Sequence, residues 1–168
     1  MKTRRTKQAV SAPLSTHINA RGEAHMVDVS AKDITARHAI ARARVTMSRP
    51  TLAKLASGSA PKGDVLATAR LAGIMAAKRT SELIPLCHTI ALTNVAIDID
   101  LAERGLTITA RAEANDRTGV EMEAMVAATT AALTVYDMLK GTDRAIAFDV
   151  ALVEKSGGKT GTWTRRGT

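Results

Sequence analysis

The chain has 168 residues, a formal net charge of +8, a single cysteine, and one residue each of Trp, Tyr and Phe. That length suits one domain with a buried core, and Cys87 alone excludes an internal disulfide and a cysteine-cluster zinc site. The charge excess lies at the ends, on Lys2, Arg4, Arg5 and Lys7 and on Lys155, Lys159, Arg165 and Arg166, while the 16 basic residues between them meet 16 acids, so a basic folded face with stacking aromatics for nucleic acid is not indicated.

Residues 1–13 offer little apolar surface and read as a disordered basic arm. They lack an apolar signal core, and no run of about 18 apolar residues follows, so a cytoplasmic protein with no membrane partner is expected. One domain should span 14–161, with a flexible tail at 162–168. "AHMVDVS" (24–30) alternates like a strand, and "ITARHAIARARVTM" (34–47) continues the pattern. "SRPTLAKLASG" reads as a short helix with Ser48 as cap and Gly58 as stop. A long helix should follow, capped by Asp64 and halted at Pro85. Two alternating runs flank "AERG" as a hairpin. A second long helix carries Glu121 and Glu123 in its first turns, with Lys140 in its last and Gly141 beyond. "AIAFDVALVEK" is the final strand.

This order predicts an α+β, ferredoxin-like (split βαβ) domain, an antiparallel sheet with two long helices on one face. Both helices are rich in alanine, which permits close approach and suggests burial against a second subunit.

"KSGGKTG" near the end is not a nucleotide-binding P-loop. The first glycine of that pattern would fall on Val153. What remains is a flexible segment with Lys155 and Lys159 that can close over an anion. Lys62 precedes the start of the first long helix, where free amides attract anions. Asp137 and Lys140 stand three apart, on one helical face, as a surface ion pair or as an aspartate orienting a lysine. Glu121 and Glu123 point apart on a helix, one toward a ligand and the other toward solvent or packed against a cap. Cys87 reads as a small hydrophobe more than as a nucleophile, while His88 remains open as a proton-transfer group. The histidines show no metal-ligand spacing, so no metal is expected. Arg37 on strict alternation reads as a sheet-surface arginine.

"HMVDVSAKDITARHAIA", "KGDVLATARLAGIMAAKRTSELIPLCH", "GVEMEAMVAATTAALTVYDMLK" and "KSGGKTG" together resemble the molybdenum cofactor biosynthesis protein C family, the cyclic pyranopterin monophosphate synthases, from about Leu14 to Gly161. The resemblance implies a ferredoxin-like homohexamer, a trimer of dimers with active sites at the dimer interfaces. It implies a lyase that converts 3′,8-cyclo-7,8-dihydroguanosine 5′-triphosphate to cyclic pyranopterin monophosphate and diphosphate. No cofactor is implied beyond Mg²⁺ that could accompany the triphosphate. By motif, Asp137, Lys140 and Lys62 would be catalytic, and Leu86, Cys87, His88, Met122 and Glu123 would bind substrate. Arg37, Lys78, Arg79, Lys155 and Lys159 are further candidates for phosphate or base contacts. A nucleotide- or nucleic-acid-binding module and a noncatalytic pathway scaffold are the competing readings.

Overall fold

The structure, a computed structural model, describes residues 17–19 and 21–166; the expected arm at 1–13 lies outside them. β1 (Thr35–Thr46) alternates as expected, burying Ala39, Ala41, Ala43 and Val45 and turning Ile40, Arg42 and Arg44 to the other face. α1 (Arg49–Ala56) follows. Ser48 is its N-cap residue, but its hydroxyl pairs with the Thr51 hydroxyl at 2.9 Å and makes no cap bond. Asp143 anchors this turn instead, accepting from the Ser48 amide at 2.9 Å and the Thr51 hydroxyl at 3.2 Å.

α2 (Val65–Ala77) is capped by Asp64, whose Oδ1 accepts from the Ala67 amide at 2.9 Å. The helix expected to run to Pro85 is broken here. The Thr80 hydroxyl donates to the Ala77 carbonyl at 3.0 Å, Arg79 leaves the helical region, and a single turn, α3 (Thr80–Leu83), begins again. A side chain has taken over a carbonyl that the next turn of backbone would have used. β2 (Leu92–Ala102) and β3 (Gly105–Asp116) form the expected hairpin about Glu103 and Arg104. α4 (Glu121–Leu139), β4 (Ala147–Ser156) and the short β5 (Trp163–Thr164) complete the fold. β5 pairs with β4 in the stretch read from sequence as a tail.

The sheet is antiparallel with strand order β2-β3-β1-β4-β5, so β1 lies between β3 and β4. α2 and α4 pack on one face. Their alanines (Ala69, Ala77, Ala124, Ala127, Ala128, Ala131) are buried in the common core with Leu106, Ile108 and Ile97. Gly73 marks the tightest approach: a Cβ there would collide with Ile97 Cδ1 and lie 2.9 Å from the Ala127 carbonyl oxygen. Small residues set this helix spacing, which fixes where α4 starts and ends relative to the loops.

The strand expected over 24–30 is not present. Ala24 makes one isolated bridge to Ile18, and the rest of the segment is irregular. Its alternation is real, since Val27 and Val29 are half-buried among exposed neighbours, but those two line a cleft rather than a ladder. The segment is held by His88, whose Nε2 lies 2.8 Å from the Val27 carbonyl.

A candidate anion-binding cleft and a separate lysine pair

The cleft, about 760 Å³, lies where the 27–33 segment, the Leu86-Cys87-His88 turn, the start of α4 and the loop after β4 converge. Lys32, Arg37, Arg117, Lys155 and Lys159 bring positive charge to it, opposed by Asp33, Glu121 and Glu123. The last turn of α3 positions the Leu86-Cys87-His88 segment, with the Cys87 amide donating to the Ile84 carbonyl at 3.0 Å. A carbonyl can only accept, so this hydrogen bond requires a proton on His88 Nε2. Burial, and secondarily Glu123, pushes the Cys87 thiol up, which keeps it protonated and a poor nucleophile.

Glu123 has the least ordinary environment in the cleft. It is 3% exposed, and its Oε2 has no hydrogen-bond partner. Burial raises its carboxyl to about 7, helped by the nearby Glu121 and Asp116 and opposed by its own backbone amide. The Thr118 hydroxyl, three residues before the helix, is likewise buried without a partner. Buried polar atoms are nearly always satisfied, so these two leave hydrogen-bonding capacity beside the cleft for a water or a ligand group to take up. Glu121 and Met122 also line the cleft, because it wraps around the helix start. The sequence expectation that one glutamate faces away from the ligand side is corrected by that wrapping.

The other cluster sits at the far end of α4. Asp137 accepts from Lys140 Nζ at 2.6 Å and from Lys62 Nζ at 2.8 Å, and Lys62 also donates to the Asp137 carbonyl at 2.9 Å. Sequence spacing showed the Asp137–Lys140 pair; the fold adds Lys62 from the loop before α2. Hydrogen bonds from Lys140 and then Lys62 pull the Asp137 carboxyl down to about 2, and the same contact with Asp137 holds the Lys140 ammonium above its ordinary value. The trio is thus one carboxylate gripping lysine side chains, half-exposed on the surface. It does not line the cleft. Fourteen residues of α4 separate Glu123 from Asp137, about 21 Å at 1.5 Å per residue.

Among the sequence candidates, Arg37, Leu86, Cys87, His88, Met122, Glu123, Lys155 and Lys159 therefore meet in the cleft. Asp137, Lys140 and Lys62 meet at the other cluster, while Lys78 and Arg79, exposed at the break between α2 and α3, line neither. Lys32 and Arg117 were missed. Arg117 Nε donates to the Lys32 carbonyl at 3.1 Å, tying the two cationic segments together. Arg117 stands just before a long helix, so the reasoning that singled out Lys62 would have found it too. Among the described residues no group of three His, Cys, Asp or Glu side chains could hold a metal ion.

Fold and clusters together define a ferredoxin-like α+β domain with a cationic small-molecule cleft at one end of its longest helix. The MoaC family model matches residues 26–158, and the chain belongs to that family. It is 56% identical over 153 residues to a protein of Thermomicrobium roseum named cyclic pyranopterin monophosphate synthase, covering 89% of this chain and 92% of the relative. It is 52% identical to a Mycobacterium bovis protein named cyclic pyranopterin monophosphate synthase 2, with coverage of 90% and 91%. A Rhodopirellula baltica protein named cyclic pyranopterin monophosphate synthase is 53% identical over 165 residues, with coverage of 91% and 94%.

Proposed function

We propose that this chain is a cyclic pyranopterin monophosphate synthase of molybdenum cofactor biosynthesis, a lyase acting on 3′,8-cyclo-7,8-dihydroguanosine 5′-triphosphate and releasing diphosphate. The observation that carries the reading is the name its relatives share over nine-tenths of this chain. The geometry fits the chemistry. Cyclising the phosphate expels diphosphate, whose growing charge needs fixed cations, and the Lys140 ammonium, held protonated by Asp137, is such a cation and a proton donor. The cleft offers Lys155, Lys159, Lys32 and Arg117 for the anionic part and the orphaned Glu123 and Thr118 for the polar edge of the ring.

The reading includes a homohexamer with sites at dimer interfaces. One substrate cannot bridge the 21 Å or so of helix between the two clusters of a single chain, so the trio of one copy would complete the cleft of another. Leu71 and Met75, one turn apart on α2, and Leu133 on α4 are each more than half exposed and supply apolar surface for that association. The site so formed would lie in a cytoplasmic enzyme, as the single cysteine suits. No described helix is long and apolar enough to cross a membrane.

The test is incubation of the purified protein with the cyclic dihydro-GTP intermediate, following diphosphate and the oxidised fluorescent pterin together, with and without EDTA. Both products should appear in equal amounts and vanish with Lys62→Ala. Neither appearing from well-folded protein would overturn the assignment, and loss with EDTA alone would place Mg²⁺ on the triphosphate.

A further inference from the structure

Arg37 lines the cleft, yet the protein already occupies much of its guanidinium. Nε donates to the Asp116 carbonyl and Nη2 to the Arg117 carbonyl, each at 3.1 Å. Against it lie Gly157 and Gly158, with φ of 93° and 71°, values glycine adopts freely. A Cβ on Gly158 would run into Arg37 Nη1 and lie 2.9 Å from Cζ. One on Gly157 would run into the Ala36 carbonyl oxygen and lie 3.2 Å from Arg37 Cδ. The glycine pair is therefore seated directly on the arginine. The turn beyond is closed on itself: the Gly161 amide donates to the Gly158 carbonyl at 3.1 Å, and the Lys155 ammonium donates to the Thr160 hydroxyl. Lys159 lies in this turn and lines the cleft together with Arg117 and Gly119.

We infer that Arg37 is a positioning residue, a fork that pins the glycine turn to the segment leading into α4 and acts on the substrate's anion through Lys159. Only a planar guanidinium can serve two successive carbonyls with one edge while its remaining nitrogen abuts a glycine turn; an ammonium supplies charge without that shape. The inference rests on the reading above that the substrate is a triphosphate met by Lys159. It changes what Arg37 does there: its donors face the backbone, and its side chain sets the turn's position.

The experiment compares R37K, R37A, K159A and R37A/K159A in steady-state turnover of the cyclic dihydro-GTP intermediate. Hydrogen exchange of amides 157–161 is measured alongside, in substrate-free protein. R37K should raise KM about tenfold, as much as R37A, with kcat within about twofold of wild type. R37A/K159A should be no worse than K159A, because both changes remove one contact. Amides 157–161 should exchange about tenfold faster in R37K. G158A, which leaves β1 intact and pushes on the guanidinium, should give the same faster exchange and raised KM. A wild-type KM in R37K, losses that multiply in the double variant, or unchanged exchange in R37K would each overturn the proposal. Exchange needs no substrate, so a wild-type protein without turnover would defeat the assigned reaction while the exchange data still decide the pinning.

Discussion

The two ends of α4 are opposites. Its first turn is buried, acidic and unsatisfied, with Glu123 3% exposed and lacking a partner for Oε2. At its last turn, charge is open to water and paired, with Asp137 taken by both Lys62 and Lys140. Burial sets the carboxyl at one end and hydrogen bonds set the carboxyl at the other, so the first is raised to about 7 and the second lowered to about 2. One end leaves polar atoms unpaired beside a cleft and the other presents paired charge to water, and on the proposed reading each supplies half of a site.

The largest test of that division mixes two dead variants. Lys140→Ala and Glu123→Ala should each abolish turnover alone, and co-refolding them one to one should restore about a quarter of wild-type activity, since half the dimers are mixed and each holds one intact site. No recovery would mean that each chain builds its own site. Next, Lys140→Ala should lower kcat by about 10²- to 10⁴-fold while leaving thermal stability within error, because an exposed pair contributes little to folding. A marked fall in melting temperature would assign the trio a structural role. Gly73→Val should cost about 3 kcal/mol in chemical denaturation by forcing α2 off α4 against Ile97 and the Ala127 carbonyl; full stability would show that the helices can separate without loss.

The smallest effect concerns pH. Native Glu123 keeps its proton up to about pH 7, whereas the unfolded chain loses it near 4.5, so the native state binds more protons in that window and stability falls as pH rises through it. Glu123→Gln should therefore be more stable than wild type at pH 8 and no more stable at pH 4. A gain independent of pH would show that the carboxyl is ionised throughout.

Legibility followed the regularity of the backbone. β1, the β2–β3 hairpin, α4 and β4 could be read because their alternation or helical spacing persists over ten residues or more. The break after Ala77 could not, since it depends on one threonine hydroxyl, and β5 could not, since two residues carry no period. Val27 and Val29 alternated for another reason, the wall of a cleft. In the site, the lysine at Asp137's second oxygen comes from 75 positions earlier, a distance no local spacing spans. Arg37 read as a sheet-surface arginine and a candidate phosphate contact, because its two backbone acceptors exist only once β1 and β3 are paired.

The position of β1 governs when the protein can begin to work. This strand leaves the ribosome early, yet its neighbours are β3, with Asp116 opposite Thr35, and β4, with Ser156 opposite His38. A nascent chain must therefore hold β1 unpaired on one edge until β4 has been made, and such long-range closure is slow. β4 leads directly into the glycine turn and Lys159, so that turn reaches Arg37 only once β4 has been made. The part of the cleft lining that Lys155, Gly158 and Lys159 supply is thus formed late in synthesis, after every other segment that lines it.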